Sequence, residues 1–469
     1  MHKKNKKKTL YVIFIVLIAI IGTLFAYAAS QDAIHLLPTD VRLQWTPRLI
    51  MIIVLAVLLP ILLVLFMFVI HRRRRLLEKT LNNAGVPSTA TKDGKDEKDK
   101  KKEKDDKGDK GSRFFMLAQT DERMEKKKNP HFNGQITLKE LCTQFRNFAA
   151  SQLRLYYEES DIRQFIAGMS VSHILVMQGM SGTGKTSLAY AFGEFLNNHS
   201  TIVPIQPMWK ERTDLIGYYN EFTKKFNETV LLQKMYEANY SEQLYITVLD
   251  EMNIARVEYY FAEFLSLLEI PNAEGRYLDV ITDVKEKDPK LLKDGRLKLP
   301  VNMWFIGTAN NDDSTFAISD KVYDRAMIMN LDKKSKWFDA PKTNGIQLSI
   351  KHWENLVEEA IHTYKITYRN QKRIQRLDEY MIKHFHVTFG NRIMKQINQY
   401  VPVMIACGGD EVEAIDDILA KKVLRKLEAQ NPIYVRNAAD GLRTYLDDLF
   451  GQDKMKSCKA YLTRLEHNA

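Results

Sequence analysis

Gly179-Met180-Ser181-Gly182-Thr183-Gly184-Lys185-Thr186 fits the spacing G-x-x-x-x-G-K-[ST] at every fixed position. The apolar run Ile174-Leu175-Val176-Met177 leads into it as a buried strand would, and Ser187-Leu188-Ala189-Tyr190-Ala191-Phe192 leads out like the first turns of a helix. Strand, glycine loop and helix in that order make an anion site. The glycines let the backbone curl until successive N–H groups face one phosphate, and the helix N-terminus adds partial positive charge. Residues 179–187 are therefore expected to cradle a nucleotide, with Lys185 on the β- and γ-phosphates and Thr186 on Mg²⁺. The expected fold class is α/β, a phosphate-loop core on a parallel sheet.

A second apolar run, Leu244-Tyr245-Ile246-Thr247-Val248-Leu249, ends in Asp250-Glu251. Paired acids at a strand end supply the other half of such a site: Asp250 would hold Mg²⁺ through its water shell, and Glu251 would polarise a water for in-line attack. A lone Asp-Glu pair also closes many strands as a charged turn, but its distance from the loop favours the chemical role. A third strand, Asn302-Met303-Trp304-Phe305-Ile306-Gly307-Thr308-Ala309, ends in Asn310-Asn311-Asp312-Asp313. The Asn310 amide at its tip would bond the attacking water and the γ-phosphate, although Asn-Asn-Asp-Asp alone reads as a turn. Arg325 stands just before the apolar run Met327-Ile328-Met329. It is open to two readings, a surface charge or a finger completing a neighbour's site.

With these elements in this order the chain resembles the AAA+ ATPases, in the branch that holds dynein-related proteins and the McrB-like restriction NTPases. The resemblance covers about residues 135–469 and rests on the phosphate loop, Leu249-Asp250-Glu251-Met252-Asn253-Ile254-Ala255-Arg256, Ile306-Gly307-Thr308-Ala309-Asn310 and Asp324-Arg325. It implies ATP and Mg²⁺ as cofactors, Lys185 and Thr186 on the nucleotide, Asp250 and Glu251 on metal and water, Asn310 as sensor-one amide and Arg325 as the finger. Arg392, in Thr388-Phe389-Gly390-Asn391-Arg392, is similar to the sensor-two arginine of the lid, though it also fits an ordinary helix N-terminal arginine. The resemblance further implies a homo-oligomeric ring, a hexamer. ATP is expected over GTP because the Asn-Thr-Ala-Asp-type stretch of the restriction NTPases is replaced by Asn310-Asn311-Asp312-Asp313-Ser314-Thr315. No domain for reading modified bases is expected ahead of the motor in this sequence.

The N-terminus instead carries apolar stretches at residues 10–29 and 49–70, each about the length that crosses a bilayer and each without a charge. Lysines precede the first and Arg72-Arg73-Arg74-Arg75 follows the second, so the positive-inside rule gives transmembrane helices in a hairpin over residues 1–78, with both ends cytoplasmic. Ala26-Tyr27-Ala28 also fits a signal-peptidase site, but the apolar core exceeds the roughly 7–15 residues of a signal segment, so an uncleaved anchor is expected. The expected location is the cell membrane, multi-pass, with the bilayer itself a partner and the ATPase domain in the cytoplasm.

Formal net charge is +11, from 69 Lys and Arg against 58 Asp and Glu, and residues 1–80 alone hold 12 basic and 3 acidic side chains. The excess thus marks topology rather than nucleic-acid binding, which is neither supported nor excluded. Residues 79–134 are expected to be a linker, because their alternating Lys, Asp and Glu cannot bury enough apolar surface to order. Helical spacing resumes with Leu138, Leu141, Cys142, Phe145 and Phe148, opening the α/β domain expected at 135–347, and residues 348–469 read as a separate helical lid. Tyr218 and Tyr219, after the strand Ile202-Val203-Pro204-Ile205, are either pore contacts, as the resemblance implies, or a packed turn. Cys142, Cys407 and Cys458 show no metal spacing and fit reduced thiols.

The function expected is a membrane-anchored ATPase that remodels an unknown protein partner. Two rivals stay open: a McrB-like DNA motor serving a nuclease, and a nucleotide-switched scaffold, against which Glu251 weighs.

Overall fold

Residues 112–127, 130–132, 135–310 and 315–467 are described by the structure, a computed structural model, and all lie within one unit of the chain. The two apolar stretches and the charged tether through residue 111 lie outside the described residues, as do residues 311–314 after Asn310. Among the described residues no helix is long and apolar enough to cross a membrane.

The described chain begins with helices α1 (Met116–Lys126), α2 (Leu138–Leu153) and α3 (Glu159–Val171). Next come β1 (Ile174–Gln178), α4 (Lys185–Phe195), β2 (Thr201–Pro204) and a short α5 (Arg212–Ile216). A hairpin of β3 (Gly217–Asn220) and β4 (Lys225–Glu228) leads to α6 (Val230–Ala238) and β5 (Tyr245–Asp250). Helices α7 (Val257–Tyr260) and α8 (Ala262–Glu269) precede a small antiparallel sheet of β6 (Tyr277–Asp279), β7 (Leu292–Lys293) and β8 (Arg296–Lys298). The α/β part closes with β9 (Met303–Ala309), α9 (Asp320–Tyr323) and β10 (Met327–Asn330). The C-terminal part is helical: α10 (Ile350–Thr363), α11 (Tyr368–Phe385), α12 (Gly390–Ala406), α13 (Glu411–Lys422), α14 (Pro432–Phe450) and α15 (Lys456–His467).

The central sheet runs β10-β1-β9-β5-β2, every pair parallel. Its inner strands are nearly continuous apolar runs because helices cover both faces. Side chains alternate cleanly between them. Leu175, Met177, Ile246, Val248 and Ile306 enter a core shared with α2, α3, α4 and the C-terminal helices. Ile174, Val176, Leu249, Met303 and Phe305 enter a second core, with α6, α7 and α8. The expected strands all form, and the sequence boundaries hold to within a residue or two.

Two expectations change. The helical C-terminal part is not separate from the α/β domain: Ile393, Ile397, Tyr400 and Val401 of α12 share one core with Phe165 and Ile166 of α3. Helix termini do follow local chemistry, since Ser349, Thr367, Asp410 and Asn431 each cap the next helix with a side-chain oxygen. The linker also ends earlier than residue 134. Residues 112–126 dock on the α/β domain: Phe114 stacks on Phe226 at 4.9 Å, Arg113 pairs with Asp288, and Phe226 N–H donates to Arg113 O at 2.9 Å. Glu228 at the end of β4 accepts from the backbone N–H groups of Phe115, Met116 and Leu117 at 2.6, 2.8 and 2.8 Å. Local composition hides this ordering because every partner is more than a hundred residues away.

Candidate active site

Register fixes where the chemistry gathers. Gln178 pairs with Ala309 and Asn330, and Leu249 pairs with Gly307, so the phosphate loop, Asp250-Glu251 and Asn310 leave the sheet from one edge. Parallel sheets bind ligands at this carboxyl edge.

Asp250 is the hub. Its Oδ1 accepts from Thr186 Oγ1 at 2.7 Å and from Thr308 Oγ1 at 2.9 Å. Thr308 in turn accepts from the Glu251 backbone N–H at 2.9 Å, so one hydroxyl aligns both acidic residues. Thr308 was not singled out from sequence; its position beside Asp250 on the adjacent strand was the available signal. Glu251 adopts a left-handed conformation, φ 53°, uncommon for a residue with a side chain. That turn leaves its carboxylate exposed at the sheet edge while its backbone is tied down. Behind it, a Cβ at Gly307 would meet Met252 Sδ at 1.9 Å, so a larger residue there would require the buried Met252 side chain to move.

In the loop, Gly179, Gly182 and Gly184 all have positive φ, the curl an anion cradle needs. Lys185, almost fully buried, donates to the carbonyls of Gly179 and Met180 at 2.9 and 2.8 Å. Met180, Ser181, Gly182 and Thr183 lie along the loop, with Thr183 Oγ1 donating to Met180 O, while Ser187 continues α4. Tyr157, also not singled out, closes the loop from behind: its hydroxyl donates to Gly184 O at 3.1 Å, and burial pushes its pKa up. Among the described residues no cluster of three or more His, Cys, Asp or Glu could hold a metal. One carboxylate beside one hydroxyl is nevertheless the donor set that suits Mg²⁺, which keeps waters and takes phosphate oxygens for its other positions.

Asn310 lines a cleft of about 450 Å³ between this edge and the C-terminal helices, together with Gln178, Tyr323, Lys421, Arg425 and Arg464. Asn253 Nδ2 donates to Asn310 O at 2.9 Å and holds the strand tip. Arg425 lies over the Tyr323 ring at 3.3 Å and pairs with Asp320 at 2.6 Å.

Arg325 and Arg392 are elsewhere. Arg325 precedes β10, whose Met327 pairs with Leu175, and so stands at the amino edge of the sheet, opposite its own phosphate loop. Its guanidinium pairs with Glu269 at 2.6 Å, and Arg392 at the start of α12 pairs with the same carboxylate. The structure thus brings Arg392 to Arg325 and not to the Asp250 cluster. In the hairpin Tyr218 is half exposed, Tyr219 lies beside Arg113 at 5.6 Å, and the tip residue Phe222 is 98% exposed.

Residues 174–326 match the family described as AAA domain (dynein-related subfamily). The chain is 24% identical over 211 residues to the type IV methyl-directed restriction enzyme EcoKMcrB subunit of Escherichia coli K12, covering 44% of each chain. It therefore spans under half the length of that curated relative. A solved structure of an ATPase candidate from Cytophaga hutchinsonii covers 71% of this chain and 95% of its own, at 14% identity and a TM-score of 0.44.

Proposed function

We propose that this chain, an ATP-hydrolysing P-loop NTPase with an AAA domain of the dynein-related type, works as a membrane-anchored ring that remodels a protein partner at the cytoplasmic face. The observation that carries the enzymatic part is the Thr186–Asp250–Thr308–Glu251 hydrogen-bond chain at the carboxyl edge, which begins at the residue next to Lys185.

Its parts divide the work. Lys185 and the loop N–H groups hold the β- and γ-phosphates, and Thr186 with Asp250 would hold Mg²⁺, which neutralises phosphate charge when bound. Glu251 accepts a proton from the attacking water, its backbone kept in place by Thr308. Asn310 orients that water from the next strand. Arg325, on the opposite edge of the sheet, supplies positive charge to the site of the adjacent subunit, where charge builds only in the transition state. The anchor is supported by the two uncharged apolar stretches, 10–29 and 49–70, and their basic flanks.

Steady-state hydrolysis by the full chain tests the reading. Turnover should require Mg²⁺ and ATP, and Lys185→Ala should lose nucleotide binding. Undiminished turnover by that variant would remove the site. Topology is tested separately: a membrane-impermeant thiol reagent on intact cells should label an engineered cysteine at Thr39 and not at Lys92.

The restriction-subunit relative favours a second reading, a nucleotide-driven DNA motor working with a nuclease. Duplex DNA added to the same assay separates the two. Stimulation of turnover by DNA selects the motor, and indifference to it selects the protein remodeller.

A further inference from the structure

Lys422, the last residue of α13, is buried, and its ammonium touches no carboxylate of the described residues at hydrogen-bond distance. It donates instead to two backbone carbonyls, Tyr323 O at 2.7 Å and Ala326 O. Between them lie Asp324 and Arg325. Gln396 of α12 donates to Asp324 O at 3.3 Å, and Ser172 donates to Arg325 O at 2.8 Å. Every carbonyl of the turn Tyr323-Asp324-Arg325-Ala326 is therefore held by a side chain, and three of the four by the C-terminal helices. A buried amine is costly unless its bonds are needed. Burial pushes this one down to about 7, with Asp324 opposing the shift and Arg425, Arg392 and Lys426 adding to it.

The same turn is wired to the nucleotide edge. The Tyr323 hydroxyl bonds Gln178, the residue before Gly179, and its ring lies under Arg425 in the cleft beside Asn310. One residue thus spans the strand end that feeds the phosphate loop, the helical part that lines the cleft, and the turn that carries Arg325.

We propose that Lys422 is a positioning residue that clamps the Arg325 turn to the C-terminal helices, so that their placement over one subunit's nucleotide sets the aim of its arginine into the next subunit's site. This rests on the reading of Arg325 as acting across the ring. A shift of about 1 Å in such a group can cost about 10²-fold in rate.

Lys422→Met in the full chain should bind fluorescent ATP within about threefold of the unmutated protein and lose about 10²-fold in kcat. Complementation gives the deciding readout. In rings mixed with Glu251→Gln, which keeps its nucleotide but does not turn it over, about one interface in four pairs an intact catalytic site with a correctly held finger, so turnover should recover well above the sum of the two single variants. Arg325→Ala mixed with Glu251→Gln is the control, and mass photometry confirms mixed rings. If the control recovers and the Lys422→Met mixture does not, the clamp is overturned while the ring reading stands. If neither recovers, or no mixed ring forms, the ring reading falls and the clamp with it. Should Lys422→Met fail to fold, Gln396→Leu takes its place, with about tenfold loss in kcat and the same rescue expected. Unchanged kcat, or loss without rescue, in that variant overturns the clamp.

Discussion

The two edges of the central sheet are built in opposite ways. At the carboxyl edge the chemistry sits on strand ends, each residue delivered by the run of sequence just before it: Gln178 into the loop, Leu249 into Asp250-Glu251, Ala309 into Asn310. At the amino edge, Arg325, Glu269 and Arg392 come from three elements, and only tertiary packing makes them neighbours. A site made of contiguous segments is fixed by secondary structure, whereas one made of distant segments is fixed by how whole helices pack. The first should respond to substitution in chemistry and the second in geometry.

The largest effect should follow at the carboxyl edge. Glu251→Gln keeps the shape and removes the proposed proton acceptor, so kcat should fall by about 10³-fold with ATP binding retained. Hydrolysis at the unmutated rate would move the base elsewhere. Thr308→Val tests whether that edge depends on its internal bonds, since it removes the donor to Asp250 and the acceptor for Glu251 N–H in one step. A loss of about 10–100-fold in kcat is expected, the usual range for residues that orient ligating groups. A change under twofold would mean that strand geometry alone holds the acids.

At the amino edge Arg392→Ala should be milder, about tenfold in kcat with the affinity for ATP unchanged, because it removes one of two guanidinium groups on Glu269. Weakened ATP binding with kcat preserved would place Arg392 over its own nucleotide instead. Smallest is a stability effect from His173, which precedes β1 at this edge, stacks on Trp304 at 4.8 Å and has its pKa lowered to about 4 by burial. Because the folded ring stays neutral, the unfolded chain takes up the extra proton between about pH 6.5 and 4, and stability falls as pH falls through that window. His173→Phe should make the thermal midpoint less sensitive to pH there, as followed by circular dichroism.

Legibility in the sequence follows the same division. The phosphate loop, Asp250-Glu251 and Asn310 could be brought to one edge from the sequence because spacing along the chain determines their spacing in the sheet. Arg392 could not be placed that way, since its position depends on the α12–α3 packing that carries the helix to the amino edge. Thr308 sat within a quoted strand but gave no sign, because a threonine in a strand is ordinary until its neighbour is known. Tyr157 and Lys422 lie far in sequence from what they hold, 27 and 99 residues from Gly184 and Tyr323. Residues 112–126 were hidden for a related reason: their charged surroundings suggest a chain without structure, and their partners are on β4, α6 and the loop before β7.

The bonds from Glu228 to Phe115, Met116 and Leu117 have a mechanical meaning as well as a structural one. A load applied to the chain ahead of Ser112 meets the Arg113–Asp288 pair first, then the Phe114–Phe226 stack and the Glu228 carboxylate. Pulled lengthwise, charge-assisted bonds gathered on one carboxylate share the strain and must fail almost together. Tension is thus divided between the loop before β7 and the β3–β4 hairpin, whose far end carries the exposed Phe222, rather than falling on the parallel strands that hold the phosphate loop.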